Sequence, residues 1–200
     1  MFSTKDNIRK VLIKTGRRLV KEKGAAYLTA RKLSDASGYS IGTIYNQYGT
    51  MDNFIMEQNR LTMNELLQRM RDIFAEDNAY LMLNRYLDTF VAFVLANQNL
   101  WFLLYNFHLN AVYQTLPKDY LRKMVEVTSI WQPYFDKVYP NLLPKERKLS
   151  LHVLWLAIFS VSSFLTTQAL DNFSRVNKKN LCKLLLNTYL AGLTVLNEGR

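Results

Sequence analysis

The most specific chemistry in the chain lies between residues 29 and 48, and it is the chemistry of hydrogen bonding to a partner. Thr43 offers a hydroxyl and a methyl group on one side chain, and Asn46 and Gln47 carry amides that donate and accept together, as an adenine edge requires. Gly42 permits another molecule to approach the backbone closely. Thr29 and Ser40 stand where helices should begin, so their hydroxyls and the unpaired N–H groups behind them can meet an anion. Tyr45 adds a phenolic donor and Arg31 a guanidinium for the same purpose. Ile44 and Tyr48 fall on the opposite face of the same short helix and should pack inward.

Catalysis finds no comparable support. There is no nucleotide-binding glycine loop, the single cysteine, Cys182, has no recognisable metal-binding companions, and His108 and His152 are not spaced as a metal pair or as part of a triad. We expect no enzyme, no cofactor and no metal. One cysteine and an opening without a signal-like apolar run lead us to expect a cytoplasmic protein. The apolar stretch from Leu151 to Leu165 contains His152 and three serines and is too short for a bilayer, so it should be a buried helix.

Charge agrees with a polyanionic partner. The net charge is +10, and residues 1–50 hold ten Lys and Arg against three acidic residues, while the remaining 150 residues carry 16 basic and 13 acidic side chains. A basic end of this kind suits nucleic acid or an anionic membrane surface. A basic helical protein that binds membranes or DNA without sequence preference, and without a ligand, is therefore the alternative reading. Charge alone does not choose between the two.

Those residues need helices to hold them. Ile8, Val11, Leu12, Thr15 and Leu19 recur at helical spacing over about 5–23, with Lys10, Lys14, Arg17, Arg18 and Lys21 on another face and Gly24 as the stop. Thr29 can cap a short helix in which Ala30 and Leu33 share a face, and Gly38 supplies the left-handed residue that ends it. Ser40 caps a third helix at once. A helix, a turn of about four residues containing glycine, and a two-turn helix make a helix-turn-helix, whose second helix enters the major groove.

The run Leu28-Thr29-Ala30-Arg31-Lys32-Leu33, followed by Ser37-Gly38-Tyr39-Ser40-Ile41-Gly42-Thr43-Ile44-Tyr45-Asn46-Gln47-Tyr48, resembles the DNA-binding region of the tetracycline-repressor (TetR) family. In that family a Ser-x-Gly-Thr-aliphatic-Tyr-x-x-aromatic pattern marks the recognition helix, and Ser40 to Tyr48 matches it throughout. The resemblance spans about residues 5–58. It implies a homodimer on a near-palindromic operator, usually a repressor released by a small ligand. One position departs: a lysine that commonly follows the recognition helix and meets a phosphate is Met51 here.

The expected fold is all-α, with a three-helix head over 1–50 and a helical ligand-binding and dimerisation domain over 51–200, joined by a connecting helix at 51–75. Further helices are expected from Asn78 to about 96, over 100–110, from about 117 to a kink or stop at Pro133, from Pro144 to about 170, and from 177 to about 197. Fourteen aromatic residues fall between Phe90 and Phe159, more than a close-packed bundle needs. We expect Phe90, Phe93, Trp101, Tyr105, His108, Trp131, Trp155 and Phe159 to line a pocket for a lipophilic effector, with Asn106, His152 and Gln168 as further polar candidates. The last helix is apolar on two sides and so needs two partners. Ala157, Ser160, Leu185, Ala191 and Gly192 are expected at a homodimer interface, in line with the four-helix bundle that the resemblance implies.

Overall fold

The computed structural model describes residues 4–110, 116–167 and 178–198. Among them the chain forms helices and no strand. The helices are α1 (Thr4–Lys23), α2 (Ala30–Ser37), α3 (Ile41–Tyr48), α4 (Met51–Arg71), α5 (Ala79–Ala96), α6 (Gln98–Asn110), α7 (Lys118–Ser129), α8 (Gln132–Val138), α9 (Pro144–Phe164) and α10 (Lys178–Glu198), with a 3-10 turn at Ala25–Tyr27.

Two expected boundaries moved for physical reasons. The connecting helix ends at Arg71 and not near residue 75, because Phe74 is 87% exposed and further turns would bury nothing. Asn78 then starts α5, its side chain accepting from the Leu81 N–H at 3.0 Å. Pro133 does more than kink a helix. It sits in the first turn of a new one, α8, where its missing N–H costs no hydrogen bond. The expected extension of α9 toward residue 170 runs outside the described residues.

The chain forms two compact units. The first comprises Met1–Asn64 and Asn97–Leu121, the second Glu65–Ala96 and Arg122–Arg200. The first unit is thus larger than a head of fifty residues, and its core explains why. Leu12, Leu19, Val20, Leu28, Leu33, Ile44 and Tyr48 cluster with Phe54 of α4 and with Leu100 and Leu103 of α6. Three helices alone, two of them of eight residues, enclose too little apolar surface, and α4 and α6 supply the remainder. Asn99 secures α6 by donating to the Lys21 carbonyl at 2.9 Å.

Packing of α1 on α4 is close. Gly16 faces the ring of Phe54, and a Cβ there would lie 2.5 Å from Phe54 Cζ. Beside it, Gln58 donates to the Ile13 carbonyl at 2.9 Å, and Arg17 donates to Thr62 Oγ1 at 3.1 Å.

The second unit is built around α5, whose Met82, Leu83, Tyr86, Leu87, Phe90, Val91, Phe93 and Val94 are all buried. This helix is also long and apolar enough to cross a bilayer by length and composition, but these eight side chains are committed to the protein core. Tyr139, just after α8, donates to the Leu190 carbonyl of α10 at 2.6 Å, and Tyr189 donates to Ser150 of α9 at 2.9 Å. Arg147 closes the turn between α8 and α9. Its Nη1 reaches the carbonyls of Tyr139, Pro140 and Leu142 at 3.2, 2.9 and 2.9 Å, and its Nε lies 3.0 Å from Asp136.

Candidate nucleic-acid interface

The helix-turn-helix is held by caps at each end. Thr29 starts α2 by accepting from the Lys32 N–H at 3.2 Å, and Gly38 ends it at φ 76°, donating to the Ser34 carbonyl at 3.0 Å. The turn is fixed by Ser34, whose hydroxyl donates to the Tyr39 carbonyl at 2.7 Å. Ser40 then starts α3, accepting from the Thr43 N–H at 3.1 Å with the two hydroxyls 2.9 Å apart. Each cap stabilises its helix by about 1 kcal/mol. Together they set where the short α3 begins, and so which side chains share a face.

That face divides cleanly. Ile44 and Tyr48 are buried, and Tyr48 meets Phe54 edge-to-face with centroids 4.9 Å apart. Burial pushes the Tyr48 phenol up to about 12, so it stays protonated as a donor. Ile41, Gly42, Tyr45 and Asn46 are exposed, Ile41 at 41% and Tyr45 at 43%, and Thr43 is half-buried beside Ser40. Thr29, Arg31 and Ser40 are exposed on the same unit. A Cβ added at Gly42 would meet only Ser40 Oγ, at 3.7 Å, so nothing inside the chain requires glycine there.

Gln47 is the exception on α3. It is half-buried, its side-chain oxygen is enclosed without a hydrogen-bond donor, and its backbone carbonyl accepts from Arg9 at 2.6 Å. It belongs to the inner edge of the helix, apart from the exposed Tyr45 and Asn46. Met51 is half-buried against the core of the first unit, an apolar role that a lysine would not fill.

On α1, Lys10, Lys14, Arg18 and Lys21 are exposed, Arg18 lying 3.5 Å from Glu22. Arg17 corrects the expectation of a uniform outward basic face, because it turns toward Gln58 and Thr62 of α4. Arg9 also turns inward. Its position gave no sign of this, since both partners lie 38 or more residues away.

The expected pocket residues fall in both units. Trp101, Tyr105 and His108 are on α6 in the first; Phe90, Phe93, Trp131, Trp155 and Phe159 are in the second. Trp101 is buried, and His108 Nε2 lies 2.9 Å from the hydroxyl of Tyr120, a buried partner that the sequence reading missed. Burial holds the His108 imidazole down at about 4. In the second unit Phe90 meets Trp155 at 5.1 Å, Trp155 meets Trp131 at 6.0 Å, and Trp131 meets Tyr86 at 5.7 Å between centroids. These rings pack on one another. The Trp131 indole N–H is buried without an acceptor among the described residues. Asn106 is half-buried, His152 is exposed on α9, and Gln168 lies outside the described residues.

Along α9 and α10 a regular set of apolar side chains faces outward. Leu149, Val153 and Leu156 on α9, and Leu184, Ala191 and Val195 on α10, are exposed at helical spacing, with Leu156 at 63% and Leu184 at 66%. Ser160 and Gly192 are exposed among them, while Ala157 and Leu185 are half-buried. The inner face of α10 is Cys182, Leu186, Leu190 and Leu193.

No family model matches the sequence, and no curated protein matches it. Solved structures do match. A protein of unknown function from Rhodococcus sp. RHA1 superposes with a TM-score of 0.72 at 14% identity, covering 92% of this chain and 94% of that one. A TetR-family transcriptional regulator from Streptomyces coelicolor gives 0.70 at 13% identity, over 98% of this chain and 83% of its own. Another from Bordetella parapertussis 12822 gives 0.65 at 13% identity, over 92% and 95%. The helix order, the capped helix-turn-helix and these whole-length superpositions lead to one conclusion: this chain has the fold of the TetR-family transcriptional regulators.

Proposed function

We propose that the chain is a transcriptional regulator that binds a near-palindromic operator as a homodimer, represses, and is released by a small lipophilic effector. The observation that carries this reading is the exposed face of α3. Gly42, Tyr45 and Asn46 point outward from a helix whose other side is anchored by Ile44 and Tyr48, and the chain itself makes no use of the space at Gly42. Tyr45 and Asn46 supply donors and acceptors for phosphate and base edges, Thr29 and Ser40 place helix N-termini toward phosphate, and Arg31 with the exposed lysines of α1 adds charge. Gln47 contributes from the inner edge.

Residues 1–50 are the DNA-reading part in this proposal, and 51–200 the sensing and dimerising part. The apolar rows on α9 and α10 support a second copy as partner, because an isolated chain would leave Leu156 and Leu184 in water. The orphaned Trp131 N–H supports an effector in the second unit, since a buried donor without an acceptor costs about 1–3 kcal/mol that a bound carbonyl or ether would recover. An effector that binds the DNA-incompetent state better by a few kcal/mol is sufficient to release the operator.

Selection from a random duplex library with the purified protein tests the DNA reading. Enrichment of an inverted repeat supports it; no enrichment over non-specific DNA overturns it. A screen of lipophilic compounds then tests sensing, and the expected effector raises the unfolding midpoint, changes tryptophan emission and lowers operator affinity.

A further inference from the structure

Arg9 is a half-buried basic residue of the helix-turn-helix unit. Its Nη1 donates to the Gln47 carbonyl at 2.6 Å, and its guanidinium lies 4.4 Å from the centroid of the Tyr48 ring. Tyr48 returns the contact, its hydroxyl donating to the Arg9 carbonyl at 3.2 Å. The two residues thus grip each other from α1 and from the last turn of α3.

The last four carbonyls of a helix have no partner within it. In α3 the Tyr45 carbonyl is closed by the helix's own cap, the Gly49 N–H at 2.7 Å, and two are taken up from other elements: Gln47 by Arg9 of α1 and Tyr48 by Asn53 Nδ2 of α4 at 2.8 Å. Arg9 is the charged member, placed at the negative end of the helix dipole. It has no carboxylate partner among the described residues, so the α3 terminus and the Tyr48 ring are its counterpart. A cleft of about 240 Å³ opens beside it, lined also by Asn53, Met56 and Glu57, the last paired with Arg60 at 2.9 Å. Steric confinement therefore does not fix the side chain; the hydrogen bond and the ring contact do.

We propose that Arg9 is a positioning residue of the recognition helix, acting on DNA binding through the rotation and seating of α3 and not through a phosphate. The inference rests on α3 being the helix that reads DNA. Planarity and reach are what it uses, because a guanidinium lies flat on a ring while donating from its edge, an arrangement that the compact ammonium on a shorter lysine stem does not reproduce. A phosphate contact has the opposite profile, since lysine replaces arginine there with little loss.

Three variants separate the roles: Arg9→Lys, Arg9→Met and Tyr48→Phe, the last removing only the returned hydrogen bond and serving if Arg9→Met folds poorly. Each is titrated against its selected operator and against random duplex over a range of salt, with hydrogen exchange followed for residues 41–49. Both Arg9 variants should lose tenfold or more in specific affinity, with random-duplex affinity and the salt slope unchanged and exchange at the α3 C-terminus accelerated. Tyr48→Phe should move the same quantities by less. A fall in the salt slope of about one charge, with equal loss on both DNAs, would make Arg9 a phosphate contact and overturn the proposal. Full retention by Arg9→Lys would do the same. If the wild type shows no sequence preference, the DNA reading itself fails, and unchanged exchange in Arg9→Met still overturns the seating role.

Discussion

Replacing Gly16 by alanine should destabilise the protein, although alanine is the better helix former. The new Cβ would lie 2.5 Å from Phe54 Cζ, 2.7 Å from Cε1 and 3.0 Å from Gln58 Nε2. Phe54 is fully buried and held by Tyr48, and Gln58 is buried and tied to Ile13, so neither can swing into open space. Overpacking of this kind costs about 1–3 kcal/mol, against about 1 kcal/mol regained from helix propensity. Contacts of 2.5 and 2.7 Å on a buried ring put the cost in the upper part of that range, about 2–3 kcal/mol, so the net loss is about 1–2 kcal/mol, or about 2–8 °C in the unfolding midpoint for a chain of this size. Gly42→Ala is the matched control: it carries the same propensity gain, but its Cβ meets only one atom at an ordinary 3.7 Å. Thermal unfolding followed by circular dichroism should show Gly16→Ala below wild type and Gly42→Ala at or above it. A Gly16→Ala protein as stable as wild type would refute the close approach of α1 and α4.

Three further outcomes are expected. Tyr45→Ala and Asn46→Ala should each weaken operator binding tenfold or more in a gel-shift titration, while unfolding stays within about 0.5 kcal/mol of wild type because both side chains are exposed. Leu184→Arg or Ala191→Arg should convert a dimer to monomer in light scattering, since an unpaired charge in a closed apolar interface costs several kcal/mol, and operator binding should be lost with it. His108, held neutral by burial with its pKa lowered to about 4, binds its proton in the unfolded chain first. Stability should therefore fall as pH drops from about 6.5 toward 4, by up to about 1.4 kcal/mol per pH unit, and be fully restored above that window. Urea unfolding of wild type and His108→Gln at about pH 7 and pH 5.5 should show the slope in wild type alone.

The parts of this fold legible in the sequence are those governed by neighbours in the chain. Thr29 and Ser40 as caps, Gly24 and Gly38 as stops and Pro144 at the start of α9 act within four residues of themselves, and the helix-turn-helix follows from them. Ile44 and Tyr48 pack inward as the spacing requires. What remained hidden depends on distant partners. Arg9 and Arg17 look like members of a solvated basic face, and only Gln47, Gln58 and Thr62 turn them inward. The same holds for Leu100 and Leu103, which join a core whose other members, Leu12 to Phe54, lie more than forty residues earlier in the chain. Aromatic content could not tell a ring that lines a pocket from one that fills a core, since Phe90, Trp155 and Trp131 satisfy one another edge-to-face. Spacing alone cannot say which of the two apolar sides of the last helix faces the core, and it is the burial of Cys182 and Leu186 that sets Leu184 outward.

The turn between α8 and α9 has the look of a protease nick site, with Pro140, Asn141 and Leu143 on the surface and basic residues close by. Yet Arg147 draws three of its carbonyls together, and Asn141 is tied to Asn197 of α10 through its N–H at 3.1 Å and its side-chain amide at 3.4 Å. A protease must straighten several residues to cut, and straightening these requires releasing both ties at once. Cleavage after Lys145 or Arg147 then waits on an opening that frees the turn from Arg147 and from the end of α10 together. The rate of that cut, measured at low protease, becomes a direct gauge of the free energy of that opening, and a ligand that binds the closed form would slow it in proportion to its occupancy.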